Sequence, residues 1–188
     1  MTWTALIPLK GSGERKTRLA GRLDESQRRT LSHQLFSHVA SVLKCSAGVS
    51  EVMVLSDMRP EDWDGPLVFD EGRGLNSELQ ALVRGLGLRR LLVIHADLPL
   101  VSAEDIAILL AEGESGCAIA PDRHDSGTNA IALRDPVGFN FSFGADSFAH
   151  HRAALQDRVR VVRRLGLGLD IDTPDDLDAA IALAVEVP

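Results

Sequence analysis

Three aspartates and one cationic loop carry the chemistry this sequence offers. In Ala96-Asp97-Leu98-Pro99-Leu100 a carboxylate follows the most apolar run of the chain, Leu91 to His95. A strand there sets Asp97 at its carboxyl end, where open α/β sheets bind their ligands. In Leu169-Asp170-Ile171-Asp172-Thr173 two carboxylates stand two residues apart, and extended backbone points both to the same side. Three carboxylates suit one or two hard cations. Mg²⁺ takes one or two protein carboxylates and fills its remaining positions with water and substrate phosphates, as phosphoryl and nucleotidyl transfer require. The competing reading is that Asp97 and Asp172 merely cap helices. The loop Lys10-Gly11-Ser12-Gly13-Glu14-Arg15-Lys16-Thr17-Arg18 gathers four cations and two glycines in nine residues. That composition cradles phosphates: glycine lets the backbone approach, and Lys and Arg bring charge and donors. No Gly-Lys-Ser/Thr follows, so this is not a Walker A loop; a plain basic turn at a helix start is the alternative.

Two further segments are rich in groups that bind oxyanions. Asp122-Arg123-His124-Asp125-Ser126-Gly127-Thr128-Asn129 offers a free backbone at Gly127 and a hydroxyl at Thr128. Phe143-Gly144-Ala145-Asp146-Ser147-Phe148, with His150 nearby, offers a glycine, a hydroxyl and flanking aromatics. A carboxylate fits between such amides and hydroxyls. Equally, both are hydrogen-bonded loops with Phe143 and Phe148 packed into a core. His150 and His151 read as surface or capping histidines.

The elements that must hold these residues alternate between apolar runs and helical patterns, which predicts an α/β fold with a mainly parallel sheet. Strands are expected at Trp3 to Leu9, Val52 to Ser56, Pro66 to Phe69, Leu91 to His95, Cys117 to Ala120 and Ala130 to Leu133, apolar enough to be covered on both faces. Helical spacing recurs through Leu31, Leu35, Val39, Val42 and Leu43, and again through Leu75, Leu79, Leu82, Val83 and Leu86. Thr173-Pro174-Asp175-Asp176 reads as a helix start: threonine at the N-cap, proline at the first position, acids at the positive end of the dipole. The helix it opens is expected to carry Leu177, Ile181, Ala184 and Val185.

With 188 residues and no linker, repeat or low-complexity tract, the chain is expected to form one domain spanning 1–188. A formal charge of −7 leaves no basic stripe for nucleic acid, although one cationic loop still admits a small anionic substrate. Cys45 and Cys117 lie far apart, without the spacing of a disulfide framework or zinc site, which suits a reduced cytosol. No apolar run reaches the roughly 18 residues of a membrane span, and the N-terminus has no secretory pattern. The expectation is therefore a soluble, cytoplasmic protein.

Taken in order, the motifs KTRLA, GLNSEL, ADLPL, SGTNA, FGADSF and LDIDTP resemble the 2-phospho-L-lactate guanylyltransferase family of deazaflavin coenzyme F-420 biosynthesis over nearly the whole chain. The resemblance implies a three-layer α/β/α domain of the nucleotide-diphospho-sugar transferase type with a mostly parallel, Rossmann-like sheet. It also implies GTP as donor, Mg²⁺ as cofactor, and a small phosphorylated carboxylic acid as acceptor. The acceptor is 2-phospho-L-lactate, phosphoenolpyruvate or 3-phosphoglycerate, and the sequence does not choose among them. By matching position, Asp97, Asp170 and Asp172 hold metal. Thr128, Gly144 and Ser147 hold the acceptor's carboxylate. Lys10, Gly11, Gly13, Lys16, Arg18, Asn76 and Asp97 line the nucleotide, and Asp97, Lys16 and Arg18 are the catalytic set. The labile product implies coupling to a downstream transferase; homo-oligomerisation stays open. The family usually carries a proline-containing stretch where this chain has Gly11 to Arg15, which instead resembles the GxGxR loop of sugar and molybdopterin nucleotidyltransferases. A molybdenum-cofactor or sugar-phosphate nucleotidyltransferase and a non-catalytic nucleotide-binding regulatory module are the alternatives.

Overall fold

Every second residue of the strands faces the same way, and both faces are apolar. In β1 (Trp3–Pro8) Ala5 and Ile7 join one core and Leu6 the other; in β4 (Arg90–Ile94) Leu92 and Ile94 face the first core, Leu91 and Val93 the second. Such strands are stable only between two helical layers. A computed structural model describes residues 2–9, 16–183 and 185 and has this arrangement. Between and after those strands come α1 (Glu25–Cys45), β2 (Val49–Ser56), β3 (Leu67–Phe69), α2 (Leu75–Leu86), α3 (Ala103–Gly113), β5 (Cys117–Pro121), β6 (Thr128–Arg134), α4 (Ser147–Leu155), β7 (Val159–Val161), α5 (Leu165–Gly168) and α6 (Pro174–Ala182). The sheet runs β3-β2-β1-β4-β6-β5-β7. Neighbours are parallel except β6, which is antiparallel to both β4 and β5.

One core packs Phe36, Val39 and Leu43 of α1 and Ile106, Leu109 and Leu110 of α3 on the sheet. The other packs Leu79, Leu82 and Val83 of α2 and Phe148 of α4. A third cluster ties Leu31 and Leu35 of α1 to Leu169, Ile171, Leu177 and Ala180 around α6. Each fully buried leucine or isoleucine contributes about 2 kcal/mol of transfer free energy.

Antiparallel β6 matters most for function. Because Ile94 pairs with Ala130, the first residues of β6, Thr128 and Asn129, lie beside the carboxyl end of β4, where Asp97 follows.

The expected strands are all present, with β2 beginning earlier, at Val49. Four of these elements were not foreseen, among them α4, which begins inside a segment expected to be a loop. β7 is a three-residue edge strand with only partly buried side chains. α3 buries Ile106, Leu109, Leu110 and Gly113 at helical spacing, a stripe of only two turns, and α5 is a single turn. α6 starts as expected, with Thr173 capping and Asp176 closing the box. It ends at Ala182, however: Ile181 is exposed, Val185 packs on the third cluster from beyond the helix, and Ala184 lies outside the described residues. Among the described residues no helix is long and apolar enough to cross a membrane.

Candidate active site

The three aspartates converge. Asp97 leaves β4 at the carboxyl edge of the sheet, and its carbonyl accepts a 3.1 Å bond from the Ile171 amide, which pins the Asp170-Ile171-Asp172 strip against it. The strip is held from behind. Gly166 of α5 packs so closely on Leu100 that a Cβ there would lie 2.6 Å from the Leu100 carbonyl oxygen. Asp176 accepts from the amides of Asp172 (3.2 Å) and Thr173 (2.8 Å). One carboxylate oxygen each of Asp97, Asp170 and Asp172 lies within 4.8 Å of the others. Neither Asp97 nor Asp172 caps a helix: Ser102 caps α3 and Thr173 caps α6.

Lys16 closes the site from the N-terminal side. Its Nζ donates to Asp97 Oδ2 at 2.7 Å and to Asp172 Oδ1 at 2.9 Å, with the side chain only 9% exposed. Burial opposes charge on this ammonium, but the two carboxylates outweigh it and raise its pKa. Burial likewise opposes ionisation of Asp97, yet Lys16 and the nearby His95 hold its carboxyl below the ordinary range. Asp170 gets no such help. Burial, then repulsion from Asp97, pushes its carboxyl up to about 6, although Asn129 Nδ2 donates to it at 3.1 Å. Among the described residues one ammonium thus stands against three carboxylates and touches two of them, and Asp97 Oδ1 is buried with no partner. Clustered hard oxygen donors short of positive charge fit a divalent cation such as Mg²⁺.

Beside this centre lies a second, polar locus. Thr128 (1% exposed) meets His151 across 3.1 Å, and Ser147 opens α4. Gly144 sits at φ +123°, a backbone that only glycine adopts readily. Both polar atoms of the Asn76 amide engage the Phe143 backbone: Nδ2 donates to the carbonyl at 3.0 Å, and the Phe143 amide donates to Oδ1 at 2.8 Å.

The match to known proteins is extensive. Residues 3–183 match the family described as "Guanylyl transferase CofC like". The chain belongs to that family. Among relatives of this CofC-like chain, the phosphoenolpyruvate guanylyltransferase of Sphaerobacter thermophilus is 42% identical, with 95% of this chain and 92% of that protein covered. The phosphoenolpyruvate guanylyltransferase of Rubrobacter xylanophilus is 39% identical over 94% and 92%. In structure the chain is similar to a Desulfovibrio desulfuricans protein described as a nucleotide-diphospho-sugar transferase, with TM-score 0.76, 18% identity and coverage of 95% and 86%. It is also similar to CMP:2-keto-3-deoxy-manno-octonic acid synthetase, with TM-score 0.64, 14% identity and coverage of 98% of each chain. These likenesses establish the nucleotidyltransferase fold.

The residues expected from the sequence are not all brought together. Asp97, Asp170, Asp172 and Lys16 form one cluster; Thr128, Gly144 and Ser147 lie on the strand start, loop and helix start beside it. Arg18 is exposed on the turn Thr17–Leu19, two residues from Lys16. Asn76 is committed to the Phe143 backbone, so its side chain shapes the loop. Lys10, Gly11 and Gly13 lie outside the described residues. Two readings are corrected. His151 is fully buried, not a surface or capping residue. The amides of the 122–129 loop do not await an anion: Asp122 already accepts from the amides of His124, Ser126 and Gly127 and from the Ser126 hydroxyl. Asn129, which reaches Asp170 and the carbonyls of Leu167 and Gly168, was given no role from sequence. Its place in the SGTNA motif was the only available signal.

Proposed function

We infer that this protein transfers the guanylyl group of GTP to the phosphate of phosphoenolpyruvate, releasing pyrophosphate, with Mg²⁺ as cofactor. The product would feed coenzyme F-420 biosynthesis. The observation that carries the inference is the convergence of one carboxylate oxygen each of Asp97, Asp170 and Asp172 within 4.8 Å of one another at the carboxyl edge of the sheet, in a member of the CofC-like family. Phosphoenolpyruvate is preferred because the relatives above act on it by name; 2-phospho-L-lactate and 3-phosphoglycerate are the competing acceptors.

An acceptor phosphate oxygen attacks the α-phosphorus of GTP in line. The bond from the α-phosphorus to the bridging oxygen breaks, and that oxygen leaves on pyrophosphate. The acceptor phosphate is already ionised near neutral pH, so no protein base and no protein nucleophile is required. Catalysis reduces to holding two anions in line and neutralising the charge that moves to the leaving group. Asp97, Asp170 and Asp172 would hold the Mg²⁺, which supplies Lewis-acid charge at the phosphates. Lys16, released from Asp97 and Asp172 when other positive charge takes its place, can turn its ammonium to the triphosphate, with Arg18 beside it at the surface. Thr128 and Ser147, with the open backbone at Gly144, offer donors to the acceptor's carboxylate.

The test is pyrophosphate release from GTP and Mg²⁺ with each of the three phospho-acids offered separately. Release with phosphoenolpyruvate well above the other two, and none without acceptor, is expected. Release with another acid alone would change the assigned acceptor. Silence with all three in protein that still binds GTP would overturn the reading.

A further inference from the structure

Buried histidines that use both ring nitrogens have a fixed tautomer, and a fixed tautomer dictates what its neighbours can do. His151 lies on α4 four residues beyond Ser147, so the two side chains share a helix face. Its Nε2 lies 3.0 Å from the Ser142 backbone nitrogen and its Nδ1 lies 3.1 Å from Thr128 Oγ1. The rings of Phe139 and Phe143 flank it, with centroids at 5.8 and 5.1 Å. A backbone N–H can only donate, so Nε2 must present its lone pair to Ser142. Protonating Nε2 would set hydrogen against hydrogen there. Burial, with a smaller push from His150, brings the ring's pKa down to about 4, so it stays neutral at neutral pH. The single ring proton is therefore on Nδ1, and it is donated to Thr128 Oγ1. That leaves the hydroxyl's own hydrogen, for which no acceptor is present among the described residues.

We propose that His151 is a positioning residue: by donating from Nδ1 to Thr128 Oγ1 it makes the Thr128 hydroxyl an obligate donor, aimed at the carboxylate of the acceptor. The proposal rests on the acceptor-site reading of Thr128 given above. An unconstrained threonine hydroxyl donates or accepts as it rotates, whereas a carboxylate can only accept. Fixing the polarity in advance removes an ordering cost from binding. The same ring ties down Ser142, next to the Phe143 backbone held by Asn76, so one side chain orders both the strand start and the loop that flank the acceptor.

The experiment measures KM for phosphoenolpyruvate and for GTP in wild type, Thr128→Val, His151→Gln and the double variant. It also determines the His151 tautomer in the wild type from long-range ¹H–¹⁵N correlations. Glutamine keeps a polar group near Nε2 while removing the donor at Nδ1. Each single change should raise the phosphoenolpyruvate KM about tenfold, as for one lost hydrogen bond to a charged group, with GTP KM shifted less than about twofold. The double variant should be no worse than Thr128→Val, because His151 acts through that hydroxyl. The spectrum should show Nδ1 protonated and Nε2 bare. Multiplying effects in the double variant, an unchanged KM in His151→Gln, or a proton on Nε2 would overturn the proposal and leave the acceptor site standing. An unchanged KM in Thr128→Val would overturn the acceptor-site reading itself, and the proposal with it. If His151→Gln does not fold, the wild-type spectrum still decides.

Discussion

Two sets of buried or half-buried acids in this molecule have the same chemistry and opposite circumstances. Asp105, Asp176 and Glu78 are saturated. Asp105 takes the amide (3.0 Å) and hydroxyl (2.7 Å) of Ser102 and pairs with Arg164. Asp176 takes the amide and hydroxyl of Thr173 and pairs with Arg123 at 2.7 Å. Glu78 takes the amides of Glu71 and Arg73 and the Arg73 guanidinium, whose hydrogen bonds pull its carboxyl down to about 2. Among the described residues Asp97 and Asp172 share a single ammonium, and Asp170, which has none, is pushed up to about 6. A buried carboxylate with its own arginine and amides closes a turn or caps a helix. Carboxylates crowded together and left short of charge keep capacity for a ligand, at a cost in stability.

The contrast can be broken most sharply by neutralising one member of each set. Asp172→Asn is expected to lower kcat by about a thousandfold or more, the scale of losing a preorganised charge at a phosphoryl centre. Its melting temperature should not fall. A rate within a few-fold of wild type, measured by pyrophosphate release, would place the chemistry elsewhere.

Asp105→Ala should do the reverse. Losing the capping box of α3 and the Arg164 partner is worth about 2 kcal/mol, a drop of about 4–8 °C in melting temperature. The acceptor KM of the folded fraction should stay near wild type, since Asp105 touches neither locus of the site. Calorimetry and steady-state kinetics on one preparation check both halves.

A smaller effect has the opposite sign. The folded pKa of Asp170 is raised, so its contribution to stability is fully present below its unfolded value of 3.8 and is lost as pH rises through about 6. Asp170→Asn should therefore stabilise the cation-free protein at pH 7, by about 1–2 kcal/mol, while abolishing turnover. Added Mg²⁺ should raise the melting temperature of wild type more than that of the variant. Glu78 runs the other way: its contribution is present above its unfolded value of 4.5 and is lost as pH falls through about 2. Melting curves against pH for Asp170→Asn and Glu78→Gln would show the two trends crossing, and parallel trends would dissolve the comparison.

Smallest is Gly144→Ala. The space around a new Cβ is open, so the only cost is the backbone at φ +123°, about 1–2 kcal/mol. The expected result is a several-fold rise in acceptor KM with GTP KM unmoved. Equal rises in both would remove Gly144 from the acceptor side.

The sequence exposes one region far better than the other. Asp97 follows an apolar run, so strand periodicity alone carries it to the sheet's carboxyl edge, and Lys16 follows from its place after β1. The Asp170–Asp172 pair follows the turn of α5 and reaches the site through the Ile171 amide bonded to the Asp97 carbonyl. The acceptor side is harder to read because it depends on contacts between distant segments. His151 looks like any polar residue on a short helix until Thr128 and Ser142 meet it across the fold. Asn76 looks like a ligand-binding amide until Phe143 occupies it. Asp122 hides its role for the same reason, since nothing in the 122–129 segment announces that one carboxylate will collect the loop's amides. The antiparallel placement of β6, which brings Thr128 and Asn129 to the site, is equally invisible in a pattern that says only "strand". Capping of α6 was legible because Thr173-Pro174-Asp175-Asp176 is a purely local signal.

The most direct test of the central claim is the rate of pyrophosphate release from GTP and phosphoenolpyruvate as Mg²⁺ is titrated, in wild type and in Asp97→Asn. Saturable dependence on Mg²⁺ in the wild type, with loss of nearly all turnover in a variant that melts no earlier, is the predicted result. Turnover that persists in excess chelator, or an Asp97→Asn protein with the wild-type rate and the same Mg²⁺ dependence, would contradict it.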